Sequence, residues 1–370
     1  MQEACTLIIN LKSRKMKKVL IKVSATFFLF LLSGIISNIY SEEWIEKVVE
    51  DKKIEINNNA LLVIDHEFGN VRCKNWDQNV IAVKVTVRVK TDDSEKAEKI
   101  IKNINVDVNG NKDQVVATCD LNQKGFKAKN IKVNIDFDIY MPETIRLQFE
   151  HKFGNAYIES VTGSASISSE YGSIEIVSLG NIENELDMSF GEAKINNINN
   201  GEIEVSYSRL ELQKAIGLSI ESEYSDMTVH DVDNISLEIE GGNASIGQVR
   251  KLEAETSFTN LEIKNVTEIV DAETNYGNLS IKNVDKAFSS IVIGNEFGAV
   301  DVNVDDDANY SLLAEGEYCS FSYPDKHANI SYKKESHSST IIKGIIGSGS
   351  NPKSKLNIES EYGAVTITAK

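Results

Sequence analysis

Few residues of this chain have types that could do chemistry, and their spacing argues against most of it. Five histidines, His66, His151, His230, His327 and His337, are scattered along 370 residues. No HxxxH or HExxH spacing sets two of them on one helix face for a metal. No Gly-x-Ser-x-Gly elbow, phosphate loop or dinucleotide fingerprint is present. Each histidine is expected as core filler or surface. Cys73, Cys119 and Cys319 form an odd set without a CxxC pair, beside Cys5 near the start. Cys73 and Cys119 alternate with apolar residues and are expected to be buried. A bridge between them stays open in an oxidising compartment. Cys319 is expected nearer the surface. Asp305-Asp306-Asp307 offers oxygens for Ca²⁺ but lacks the spaced acidic loop of a dedicated site, so a solvated loop is expected. No catalytic, cofactor-binding or metal-binding residue is assigned, and no cofactor is expected.

The elements that position these residues follow one short unit. An aromatic followed by a small residue recurs at Phe153-Gly154, Tyr171-Gly172, Phe190-Gly191, Tyr207-Ser208, Tyr224-Ser225, Phe258-Thr259, Tyr276-Gly277 and Phe297-Gly298, with Gly241-Gly242 in the same frame. Spacings run from 17 to 21 residues. A near-constant period marks a stacked-repeat architecture. Three and five residues after each anchor lie apolar side chains, from Ala156 and Ile158 to Val300 and Val302, with mostly polar residues between. That period of two is a strand with one buried face. A further apolar position at +8 suggests a corner before a second strand. One unit is too short to bury its own apolar face. Stacking in register sets Ile over Ile and aromatic over aromatic and makes the core continuous. The fold expected over 151–370 is therefore all-β, a parallel β-solenoid or β-helix of short turns, with an antiparallel meander of equal period as the competitor. The small residue after each aromatic suits a bend where φ can turn positive, although Ser and Thr in that slot show that this is not obligatory.

Upstream, residues 42–150 read as a strand-rich cap with one helix. Phe68-Gly69 opens an isolated copy of the unit, with Val71, Cys73 and Trp76 at +3, +5 and +8. Strands are expected at Ile81–Val89, Ile104–Val108, Gln114–Cys119, Ile131–Tyr140 and Ile145–Phe149. A helix is expected over Asp92–Lys102, capped by Asp92, Asp93 or Ser94. Tyr318 and Tyr362-Gly363 suggest two late turns. Residues 1–41 read as a signal peptide. The basic Met16-Lys17-Lys18 precedes an apolar stretch, Val23–Ile36, too short to span a bilayer, and Ser37 and Ser41 are plausible cleavage points. Met1–Lys15 reads as a mis-called start. The mature chain is expected to begin near Glu42 and to carry no membrane span.

Net charge is −17, and the segment after residue 41 carries −22, because six basic residues and one acid precede it. Such a surface repels phosphate backbones, so nucleic acid is excluded as a partner. Phe68-Gly69-Asn70-Val71, Trp76-Asp77, Ile139-Tyr140-Met141-Pro142 and the Tyr/Phe-Gly-x-Ile-x-Ile units resemble the bacterial "putative adhesin" family, a domain of unknown function, over most of 60–370. The Ser variants at Tyr207-Ser208 and Tyr224-Ser225 depart from its pattern. The resemblance implies an exported strand-repeat protein and brings no catalytic residues. Three functions remain open: an adhesin-like binder of a glycan or an envelope or surface protein, a polysaccharide-active β-helix enzyme, and an envelope-stress sensor. Such an enzyme needs acids on neighbouring turns. The outward +4 stripe (Tyr157, Glu175, Lys194, Glu211, Thr228, Ser245, Glu262, Ser280, Asp301) has none adjacent, which favours the non-catalytic binder. The expected location is periplasm, outer surface or extracellular.

Overall fold

The computed structural model describes residues 43–91, 93–121 and 131–370. The leader read over 1–41, with Cys5, lies outside the described residues, as does Asp92. The described residues are all-β apart from one α-helix and a 3₁₀ turn at Asp325–His327. The N-terminal part contains β1 (Glu43–Glu55), β2 (Leu61–Asn75), β3 (Val80–Thr91), α1 (Ser94–Asn103), β4 (Ile104–Gly110), β5 (Gln114–Leu121) and β6 (Lys132–Met141). Helix α1 starts where Asp93 accepts from Lys96 N at 3.1 Å, and it buries Ala97 and Ile101. No helix among the described residues is long and apolar enough to cross a membrane.

The repeat runs through β7 (Arg146–Val161), β8 (Ala165–Leu179), β9 (Asn184–Ser189), β10 (Glu192–Ser206) and β11 (Arg209–Asn275), then β12 (Leu279–Val284), β13 (Ser290–Glu296) and β14 (Ala299–Val304). The last elements are β15 (Tyr310–Glu317), β16 (Ser320–Ser322), β17 (Ala328–Glu335), β18 (Ser339–Ile346), β19 (Ser354–Glu361) and β20 (Ala364–Ala369). All join one large sheet. Through the middle the pairing is parallel and in register: Ala156 lies beside Ile174, Ile174 beside Ala193, and Ala193 beside Leu210. All eighteen apolar residues at +3 and +5 are buried, as are those at +8. Each fully buried Ile, Leu or Val contributes ~1.5–3 kcal/mol, so register and burial enforce each other.

A parallel solenoid throughout 151–370 is corrected toward its C-terminal end, because the sheet is mixed, and the part upstream is mixed as well. β3 pairs antiparallel with β1 and β6, and β4 with β5. β18 pairs antiparallel with β15 and β17. Hairpins can close a stack where no further turn exists to take up the open edge. The order of turns is also corrected. β19 pairs on one side with β13 and on the other with β15. The Tyr362 turn therefore lies between those of Phe297 and Tyr318, and the last turn in sequence is not the last in space. At the other end β2 pairs directly with β7, so the Phe68 turn joins the stack.

Candidate binding face

Each turn has a leading strand, a corner and a trailing strand. The corner is the aromatic residue itself. Phe68, Phe153, Tyr171, Phe190, Tyr207, Tyr224, Phe258, Tyr276, Phe297, Tyr318 and Tyr362 all have φ between 47° and 61°. The sequence reading placed the positive φ on the next residue. In that slot only Gly69, Gly154 and Gly242 have it. The slot is small for another reason: a Cβ on Gly172 would sit 2.0 Å from the carbonyl oxygen of Gly154 in the turn beside it. Where Ser occupies the slot, its hydroxyl becomes the acceptor. Gly191 N donates to Ser208 Oγ at 3.1 Å, and Ser208 N to Ser225 Oγ at 2.9 Å.

A left-handed conformation costs a bulky residue about 1–2 kcal/mol, and glycine would adopt it freely. Eleven corners nevertheless carry rings. The rings stack outside the core, with centroids 4.8–5.4 Å apart from Phe68 to Tyr224 and again from Phe258 through Tyr276, Phe297 and Tyr362 to Tyr318. Such pairs contribute about 0.5–1.5 kcal/mol each, enough to offset much of the strain. Within the stack each ring shows its edge to solvent and its faces to neighbours. The ladder is interrupted once, at Gly241, whose φ is 76°.

Beside the ladder, the leading strands form an acidic wall. The outward positions five, three and one before the corner are Glu185, Asp187 and Ser189; Glu202, Glu204 and Ser206; Ser219, Glu221 and Glu223; Ser236, Glu238 and Glu240; Glu253, Glu255 and Ser257; Asp271, Glu273 and Asn275. Every one of these six turns presents two carboxylates and no Lys or Arg. All twelve acids are exposed, and none forms an ion pair among the described residues. A groove of ≈ 660 Å³ runs along this wall, lined by Phe258 and by Glu238, Glu240, Glu255, Glu273 and Glu296 among others. The sequence reading looked for neighbouring acids only at +4. Counting backwards from each aromatic finds the stripe directly, so the argument that neighbouring turns lack acids holds for the trailing wall alone.

The other candidate groups are mostly structural. Cys73 and Cys119 are free rather than bridged, and burial pushes both thiols up to about 12. Cys319 is half-buried and donates to Ser360 O at 3.0 Å. His66 and His151 are buried, with Nδ1 to Nδ1 at 2.9 Å. Because His66 Nε2 lies 2.6 Å from Ile135 O, which only accepts, His66 carries its proton on Nε2 and takes a hydrogen bond from His151 Nδ1. Burial lowers both histidines, His66 to about 4. Asp306 and Asp307 face His327 and Lys286, and Asp305 caps its own turn. No cluster of metal-ligating residues occurs among the described residues.

No family model matches the chain. No curated protein matches it. Solved structures resemble it at low identity. A "putative cell adhesion protein" of Clostridium sporogenes is 12% identical, covering 89% of this chain and 100% of its own, with a TM-score of 0.18. A "putative adhesin" of Parabacteroides merdae is 14% identical, covering 70% and 96%, with a TM-score of 0.29. A "putative lipid binding protein" of Parabacteroides distasonis is 10% identical, covering 86% and 96%, with a TM-score of 0.30. These scores place no residue of the present chain.

Proposed function

We propose that this is an exported, non-catalytic, adhesin-like envelope or surface protein that binds an extended basic partner along its acidic wall and ring ladder. In this reading the repeats of 151–370, with the Phe68 turn added, form a parallel β-solenoid rod. Residues 42–150 cap it, and the leader over 1–41 exports it. The observation that carries the reading is the acidic wall: twelve exposed carboxylates on six consecutive turns, without a cation, beside exposed rings. Like charges at the inter-strand spacing of about 4.8 Å repel. A wall that keeps them is built to be neutralised from outside. Repetition along the rod lets many weak contacts add, so affinity rises with the number of turns engaged. The partner's chemistry is a basic protein segment or an amino-bearing glycan.

Catalysis is disfavoured on chemical grounds. Glycoside hydrolysis needs two carboxylates held in different environments on either side of a bond. The wall gives its acids one repeated, solvated environment on an open face. The test incubates the mature protein with basic and neutral polysaccharides and with a nine-residue lysine peptide. Binding that weakens steeply between 50 and 500 mM salt, on the order of tenfold or more as the Debye length shortens, is the expected result. Release of reducing ends or unsaturated sugars overturns the non-catalytic reading. Absence of binding to every basic probe overturns the binding reading.

A further inference from the structure

The ring ladder breaks at one turn, and the break leaves two ring faces uncovered. Tyr224 and Phe258 flank the Gly241 turn, and neither stacks on the other. Two inter-strand spacings separate their turns, about 10 Å. Tyr224 leans into that gap, its Cδ1 2.9 Å from where a Cβ on Gly241 would stand; with that ring turned upright, a flat group placed midway would lie about 5 Å from each ring, the spacing the ladder already uses, 4.8–5.4 Å. Phe258 is the most exposed ring of the ladder, at 64%, and Tyr318, which ends the stack, follows at 59%. Tyr224 tilts away from Tyr207 by 18°, against 2–8° elsewhere in the ladder. Its hydroxyl donates to Glu240 Oε1 at 3.1 Å. The slot thus has two ring walls and a carboxylate at its mouth, with Glu223, Glu238 and Glu255 around it and no cation paired to any of them among the described residues.

We propose that the Gly241 turn is a receptor slot for one arginine side chain of the extended basic partner, its guanidinium sandwiched between Tyr224 and Phe258 and paired with Glu240. This rests on the reading of the acidic wall as the binding face and names the group that fixes the partner's position on it. Shape calls for a flat group, because only a flat group fits one inter-strand spacing on either side. Charge calls for a cation. Guanidinium meets both conditions, being planar, weakly hydrated and able to stack and donate to a carboxylate at once. An ammonium is a compact hydrated charge that stacks poorly.

The experiment compares two peptides on the intact mature protein: nine lysines, and the same peptide with its central lysine replaced by arginine. The arginine peptide is expected to bind about tenfold tighter, the upper range of a desolvated cation–π contact. Gly241→Phe should erase that difference. The substitution suits the left-handed backbone, where all eleven other corners already hold rings at φ between 47° and 61°. Its Cβ would press on the ring of Tyr224, 2.9 Å away, which can stand upright again, and would make an ordinary contact with Tyr224 Cα at 3.7 Å. Phe258→Leu, which removes one wall without touching a corner hydrogen bond, should also erase the difference. Equal binding of both peptides by the unaltered protein overturns the slot and leaves the binding face standing. An arginine preference that survives Gly241→Phe also overturns the slot. Failure of both peptides to bind overturns the binding face, and the slot with it.

Discussion

The two walls of each turn have the same length, pitch and pairing, yet they treat charge and polarity in opposite ways. The trailing wall mixes charges of both signs and pairs several of them. Lys194 meets Glu192 at 3.2 Å, Lys282 meets Glu262 at 3.5 Å, and Asn243, Asn260 and Asn278 pass hydrogen bonds from turn to turn. Its inner stripes are wholly apolar from Ala156 to Val302. The leading wall leaves twelve carboxylates unpaired outside, and inside, two residues before the corners, it buries His66, His151, Ser169, Ser222, Thr256, Thr274, Asn295 and Ser360. Stability alone would favour two trailing walls. The difference teaches that apolar burial is continuous under the trailing wall, while the leading wall keeps unfavourable electrostatics outside and polar groups inside, as the proposed binding role would require.

The largest effect should come from crossing the inside–outside boundary of the trailing wall. Ile246 is fully buried and Ser245 beside it is not. Ile246→Asp places an unpaired carboxylate in the core and should destabilise by several kcal/mol, whereas Ser245→Asp should stay within about 0.5 kcal/mol. Thermal melts of the two variants read the difference directly. Equal melting temperatures would erase the distinction between inner and outer stripes on which the comparison depends.

A smaller effect should appear on acidification, from the polar inner stripe of the leading wall. Burial, stronger than the opposing hydrogen bond to Ile135 O and the nearby Asp136, lowers His66 from 6.5 to about 4. Below pH 6.5 the unfolded chain takes up a proton that the folded chain refuses until about 4. His66 thus contributes full stability above pH 6.5 and loses it as pH falls through that window, by on the order of 3 kcal/mol at the lower end. Urea unfolding of the native protein and of His66→Asn at pH 7.5 and pH 5 should show a larger loss for the native chain. Parallel losses would mean that the leading wall's interior is as indifferent to protons as the trailing wall's.

Much of this was legible in the chain because stacking turns three-dimensional neighbours into a period. Ile174, Ile195 and Leu212 announce their burial by recurring at one offset, and α1 by its i, i+3, i+4 pattern with Asp93 ahead of it. What stayed hidden was set by backbone geometry and by contacts distant in sequence. Nothing in the letters Tyr171-Gly172 says which of the two is left-handed; the 2.0 Å approach of a Gly172 Cβ to Gly154 O does. Nor does any period foretell that β19 slips between β13 and β15, since that order arises from pairings 65 residues and 44 residues apart. The acidic wall is not visible in offsets read forward from the aromatic, where acids, Lys194 and neutral polar residues alternate.

The smallest expected effect bears most directly on what separates the walls. If the leading wall is electrostatically unfavourable, removing one of its charges should stabilise the free protein. Glu238 sits mid-wall, exposed and without an ion pair among the described residues, with Glu221 and Glu255 at the same offset on the turns either side. Glu238→Gln keeps shape and hydrogen-bonding capacity while deleting two like-charge contacts. In water each is worth about 1 kcal/mol at 4 Å and less at strand spacing under physiological salt. A gain of a few tenths of a kcal/mol at low salt is therefore expected, and it should vanish near 1 M salt, where the Debye length is about 3 Å. On the trailing wall Glu262→Gln, which breaks the 3.5 Å pair with Lys282, should move stability the other way or not at all, since exposed pairs are worth about 0–1 kcal/mol. Chemical denaturation in urea, which leaves ionic strength untouched, resolves shifts of this size when the variants are measured side by side. Opposite signs at low salt that converge at high salt would establish the leading wall as a strained charge array awaiting a counter-charge. A loss of stability in Glu238→Gln would show instead that the carboxylates are held by favourable local contacts, and that the asymmetry between the walls has no electrostatic cost to explain.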